Sequence, residues 1–112
     1  NYIFIQEEKD AVNKKIFVSK NHKDLEELDT GFKAKFYDEN TIIYLKNIEK
    51  EDKNILKIYD MVSKESKELD YNISNYFLLN NEYIAFIEKN TCNNDYTLYK
   101  YNVPNKIIIK AK

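Results

Sequence analysis

An internal repeat constrains the fold of this chain more than any other feature. Tyr2-Ile3-Phe4-Ile5, Ile42-Ile43-Tyr44-Leu45 and Tyr83-Ile84-Ala85-Phe86 are short apolar runs whose starts lie 40 and then 41 residues apart. Their flanks recur too. Phe36-Tyr37-Asp38-Glu39-Asn40 precedes the second run and Phe77-Leu78-Leu79-Asn80-Asn81 the third, at an offset of 41. Leu56-Lys57-Ile58-Tyr59-Asp60-Met61 aligns with Leu98-Tyr99-Lys100-Tyr101-Asn102-Val103 at an offset of 42, and Glu27-Leu28-Asp29 with Glu68-Leu69-Asp70 at 41. Repeats of this period stack as similar supersecondary units, each covering its neighbour's apolar face.

Within each unit the signals are those of strands. Four-to-eight-residue runs of Ile, Tyr, Phe and Val alternate with clusters of Asn, Asp, Glu and Lys, and Leu69, Tyr71 and Ile73 keep period 2. With a single glycine, Gly31, against 15 asparagines, turns are expected at Asn, which tolerates left-handed backbone. Val103-Pro104-Asn105 is a turn on the same grounds. Eleven strands follow. The first unit comprises Tyr2–Glu7, Lys15–Ser19 and Leu25–Leu28; the second Phe32–Tyr37, Thr41–Asn47, Ile55–Asp60 and Lys67–Asn72; the third Tyr76–Leu79, Glu82–Glu88, Tyr96–Asn102 and Lys106–Ala111. The expectation is an all-β antiparallel meander of three four-stranded units, spanning approximately 1–31, 32–74 and 75–112, the first lacking its first strand. Two alternatives stand beside it. Leu25 and Leu28 are at helical spacing, so helices near 19–29 and 60–70 would make the fold α+β. The units could also form a compact meander or sandwich.

Glu82-Tyr83-Ile84-Ala85-Phe86-Ile87 followed by Leu98-Tyr99-Lys100-Tyr101-Asn102 resembles the blades of TolB-type β-propellers, which also occur in prolyl-oligopeptidase-like peptidases and in exported bacterial proteins. In the family's pattern Asn40 and Asn81 take the glycine-like turn position, and Asp60 and Asn102 end the third strand. The resemblance implies three propeller-like blades and favours an exported or cell-surface bacterial protein, and the wealth of Lys, Asn and Ile without Arg fits a low-GC genome. Propellers close with about four to eight blades, so 112 residues are expected to be part of a larger ring or to self-associate, for instance as a two-chain, six-bladed ring. The start at Asn1 fits a processed product or a piece of a longer chain.

Composition argues against several chemistries. All 18 cations are lysine, balanced by 19 acids, and the absence of arginine removes the planar fork used for phosphates and base edges, so no nucleic-acid partner is expected. A lone glycine cannot make a phosphate-cradling loop. No apolar run reaches the roughly 18–20 residues of a membrane helix. One histidine, His22, and one cysteine, Cys92, supply too few ligands for zinc and no oriented catalytic pair. Ser63, Ser66 and Ser74 lack the glycine-flanked turn of a hydrolase serine. Asp10, Glu49, Glu51, Asp52 and Asp95 fall in loops joining second and third strands, interleaved with Lys9, Lys50, Lys53 and Lys89, which reads as a solvated loop face more than a Ca²⁺ or acid–base site.

Most of the ten tyrosines fall on strands, where cross-strand packing accounts for them. Tyr71, Tyr76 and Tyr96 lie near strand ends and are the candidate partner-binding residues, since tyrosine is favoured at protein contacts. The functional expectation is a non-catalytic protein-interaction module with no cofactor and no metal. Alternatives are an accessory propeller of a peptidase or hydrolase whose catalytic residues lie elsewhere, and a surface carbohydrate or ligand sensor.

Overall fold

A computed structural model describes residues 2–6, 11–19, 24–93 and 95–111. Among these residues the protein is all-β, with ten antiparallel strands and no helix. They are β1 (Tyr2–Gln6), β2 (Lys14–Ser19), β3 (Glu26–Asp38), β4 (Thr41–Ile48), β5 (Lys53–Asp60), β6 (Glu65–Tyr71), β7 (Ile73–Leu78), β8 (Tyr83–Lys89), β9 (Tyr96–Asn102) and β10 (Ile107–Lys110). One sheet has the order β1-β2-β3-β4-β5-β6 and the other β10-β9-β8-β7; neither closes on itself.

Ten strands replace the eleven expected because the expected strands Leu25–Leu28, from Glu26 on, and Phe32–Tyr37 belong to one element. The 13-residue β3 pairs with β2 up to Gly31 and with β4 from Phe32 onward, lending a different edge in each half. The backbone changes direction there: Lys33 has φ 54° and the register with β4 shifts between Phe32 and Lys35. Gly31 is required at this pivot. A Cβ on it would stand 2.5 Å from the Leu45 carbonyl oxygen.

The bend folds one sheet back on itself, so the core has two layers of contact. Ile42, Tyr44 and Tyr59 on one face of the β4–β5 pair meet Ile16 and Val18 of β2. Ile43, Leu45 and Leu56 on the opposite face meet Ile73, Tyr76, Ile84, Phe86 and Tyr101 of the second sheet. The consecutive β4 residues Ile42 to Leu45 are therefore all buried. A continuous apolar run is what a strand covered on both faces requires.

The helix alternative is corrected at both sites. Leu28 and Leu69 are β-bulge residues: Ile16 pairs with Asp29 and Phe17 with Glu27, just as Leu56 pairs with Asp70 and Lys57 with Glu68. Each bulge inserts an extra residue, and both leucines pack on the core. The helical spacing of Leu25 and Leu28 thus joins an exposed residue outside β3 to a bulge inside it. Residues 61–64 form a turn, and β6 pairs along β5. Part of the 19–29 expectation, residues 20–23 with His22, lies outside the described residues.

The repeat is legible in hydrogen bonds. Asp38 Oδ1 accepts the Asn40 N–H at 2.9 Å, and one repeat later Asn80 Oδ1 accepts the Glu82 N–H at 2.9 Å. Asp60 Oδ1 accepts from Ser63 N at 3.4 Å, and Asn102 Oδ1 accepts from Asn105 N at 2.9 Å at the matching place in the next unit. Lys64 and Lys106 share left-handed φ values of 61° and 57°. Asparagine thus serves these turns through its side-chain acceptor. The residues with positive φ are Lys33, Asp52, Lys64, Asn72 and Lys106; Asn72 takes the left-handed backbone expected of asparagine, and Asn40 and Asn81 do not.

Replacing Gly31 by alanine is expected to destabilise the chain by about 1–3 kcal/mol, the usual cost of forcing atoms into packed space. A lowered urea midpoint with an unchanged m-value would register it; an unchanged midpoint would show that the Leu45 backbone gives way freely.

Candidate functional site

Two inter-layer junctions occupy equivalent places in the repeat but differ in chemistry. At the first, Asp29 of β3 accepts from Lys46 Nζ at 2.8 Å, Lys57 Nζ at 2.9 Å, the Tyr44 hydroxyl at 2.6 Å and the Thr30 N–H at 2.7 Å. Lys57 Nζ also lies 5.8 Å from the centre of the Tyr44 ring. Burial pushes the Asp29 carboxyl up, but bonds from Lys46, Tyr44, Lys57 and Thr30 outweigh it and hold the group well below the usual carboxylate range. Burial and then the Asp29 bond push the Tyr44 hydroxyl far upward.

At the second junction Asp70 of β6 stands at the bulge position of Asp29, and its side chain accepts the Tyr71 N–H at 2.8 Å as Asp29 accepts that of Thr30. The cations have no counterpart. One repeat on, Glu88 holds the register position of Lys46, Tyr99 that of Lys57 and Phe86 that of Tyr44. Phe86 and Tyr99 stack at 5.5 Å between ring centres. Glu88 instead shares a cleft with Asp70, and the neighbouring Asp70 carboxyl, then burial, raise the Glu88 carboxyl to about 7.

Asp70 and Glu88 line a cleft of about 490 Å³ at the end of the sheets where the β4–β5 turn, Asn72 and the residues after β8 converge; Glu51, Lys53, Tyr71 and Lys89 also line it. Asparagines tie the layers together at this end. Asn13 exchanges two bonds with the Asn47 backbone, at 2.7 and 2.8 Å, Asn47 Nδ2 donates to Asn54 Oδ1 at 3.0 Å, and Asn54 Nδ2 donates to the Ile73 carbonyl at 3.2 Å. Asn72 Nδ2 donates to the Lys89 carbonyl at 2.6 Å.

The tyrosines separate here. Tyr71 and Tyr96 are 58% and 60% exposed, and both reach this end: Tyr71 lines the cleft, and Tyr96 lines an adjoining hollow with Asp52, Asn72 and Lys89. Tyr76, at 1%, is a core residue and is corrected as a contact candidate. Its hydroxyl donates to the carbonyls of Lys33 and Ile43, while Lys33 Nζ donates to the Tyr76 carbonyl at 3.3 Å and sits 4.9 Å from the centre of its ring. Burial raises its hydroxyl pKa strongly.

Of the loop acids, Glu51 and Asp52 each line a hollow that Lys89 also lines at this end, while Asp10 is outside the described residues. Cys92 is an exposed free thiol. Among the described residues no three His, Cys, Asp or Glu side chains form a metal-binding group, and no helix is long and apolar enough to cross a membrane. Asp70 and Glu88, which line the cleft, are not among the residues that the sequence points to. The available signal was the loss of a lysine at the repeat position of Lys46.

Asp29→Ala should cost about 3 kcal/mol, as when one partner of a largely buried ion pair is removed, read as a lower chemical-denaturation midpoint. Because its folded pKa is depressed, the Asp29 contribution is present above the ordinary aspartate range and fades in acid. Glu88 has the opposite sign. With a folded pKa near 7 against the ordinary 4.5, it stabilises the fold below about pH 4.5, and this contribution is lost as pH rises through 7. Denaturant midpoints measured from pH 4 to 8 should fall across that window in the native chain and stay flatter in Glu88→Gln; parallel curves would refute the upward shift of Glu88. No family model, curated protein or solved structure matches this chain, and its function is read from this geometry.

Proposed function

We propose that this chain is a non-catalytic protein-interaction module built of β-propeller-like repeats of the TolB type, which meets a protein partner through its loop-end face. The observation that carries the reading is the exposure of Tyr71 and Tyr96 at one end of the sheets, beside a cleft lined with both signs of charge. Tyrosine offers a large contact area and a polar tip, and interfaces are enriched in it. Lys53 and Lys89 beside Glu51 and Asp70 suit a partner surface of mixed charge.

Three features support the propeller-like reading. Two successive four-stranded meanders, residues 32–71 and 73–110, keep common turn bonds at matching places. Their layers stack face to face. Lys33 and Asn75, each on the first strand of its meander, hydrogen-bond to each other, as inner strands around a common axis would.

The test is affinity capture from extracts of the source cells with three baits: the native chain, Tyr71→Ala/Tyr96→Ala, and Val62→Ala as a surface control. A protein retained by the native chain and the control but lost from the double variant is the expected result. Equal retention by all three, or none by any, would overturn the loop-end assignment.

A further inference from the structure

The repeat shows what an exposed sheet face is shaped to receive. In the first two units the same register positions receive the next layer. Ile5 pairs with Ile16, and at the matching place in the second unit Leu45 pairs with Leu56; Ile16 and Leu56 are both 0% exposed. The layer covering Ile16 presents Ile42, Tyr44 and Tyr59, and the layer covering Leu56 presents Ile84, Phe86 and Tyr101. The covering residues thus keep a pattern of isoleucine and aromatic on the second strand and tyrosine on the third.

In the third unit the receiving positions are Ile87 and Leu98, which pair as Leu45 and Leu56 do in the second. Leu98 is 45% exposed where Leu56 is fully covered, and Phe77, Ile107 and Ile109 on the same side of the sheet are exposed too. At the other end of the stack, β1 pairs with β2 so that Tyr2 and Phe4 fall one repeat before Ile42 and Tyr44, at the second-strand covering positions of the first unit, with the buried Ser19 in the place of Tyr59. One chain therefore carries a receiving face at one end and the covering register at the other.

We infer that a second copy of this chain seats its first unit on the Ile87–Leu98 face of the first, and that two such head-to-tail contacts close a two-chain ring of six units. A head-to-tail contact gives a ring when its rotation closes and an open filament when it does not; six units fall within the range of about four to eight that closes a propeller. The occupant is a copy of the chain because the bare positions repeat those that its own units already cover. This inference rests on the propeller-like reading; the loop-end contact of Tyr71 and Tyr96 is independent of it and is tested separately.

Light scattering on the 112-residue chain should give twice its 13.5 kDa mass, without growth as concentration rises. Leu98→Lys and Phe4→Lys should each give the single-chain mass with retained β circular dichroism, and Ile109→Lys is a second variant on the receiving face should Leu98→Lys misfold. Mixing Leu98→Lys with Phe4→Lys should restore a two-chain particle, since one native contact remains available between them. A native chain at single-chain mass would overturn the inference. So would a Phe4→Lys dimer, which would mean the receiving faces meet each other, or a mass that climbs with concentration, which would mean an open stack.

Discussion

The pivot in β3 is the constraint on which the other contacts depend. Along one short stretch, Asp29 gathers two ammonium groups and a phenol, Gly31 lets the strand pass against the Leu45 backbone, and Lys33 takes a left-handed φ. The strand can then serve β2 along one half and β4 along the other. A straight strand would leave Ile16 and Val18 beside the β4–β5 pair; the bend brings them over Ile42, Tyr44 and Tyr59. Burial of one face of β4 follows from that fold-back, and the second sheet covers the other. The Asp29 carboxylate holds it in place, since its partners lie on β4 and β5 and the group itself on β3.

The next junction solves the same geometric problem differently. Asn72, with φ 57°, divides β6 from β7, so the chain breaks into two strands and two sheets where β3 remained continuous. The reciprocal contacts of Lys33 and Tyr76 then join the sheets. At the site equivalent to the Asp29 cluster, an aromatic stack and a carboxyl pair replace the cations. An ion pair between units is thereby exchanged for an aromatic stack and a pair of acids that line one cleft. This places a group titrating near neutrality beside the exposed Tyr71, so the charge of the loop-end face depends on pH.

Much of the strand set was legible because isoleucine- and tyrosine-rich runs between polar clusters have few other stable uses. Register was harder. Aligning Ile42 with Tyr83 gives an offset of 41, whereas the ladders align Ile42 with Ile84 at 42. With a side-chain period of two, that single-position slip inverts which side chains face the core. The downstream match of Leu56 with Leu98 at 42 was the correct one. Tyr76 was misplaced because a tyrosine near a strand end reads alike whether it faces solvent or a neighbouring sheet. The Asp70–Glu88 pair was hidden because its members lie far apart in the chain, on β6 and β8 of different sheets.

By itself the sequence determined the all-β class, most strand positions and the turns, because apolar patterning and Asx hydrogen bonding act over a few neighbouring residues. It also determined the repeat, since similar segments form similar ladders. Only the tertiary structure decided which tyrosines are exposed, where the layers fold over one another and which acids meet in one cleft. Those outcomes depend on bulges at Leu28 and Leu69, the pivot at Gly31 and contacts between distant strands. Each re-aims side chains by a residue or a face, a change that composition and periodicity do not register.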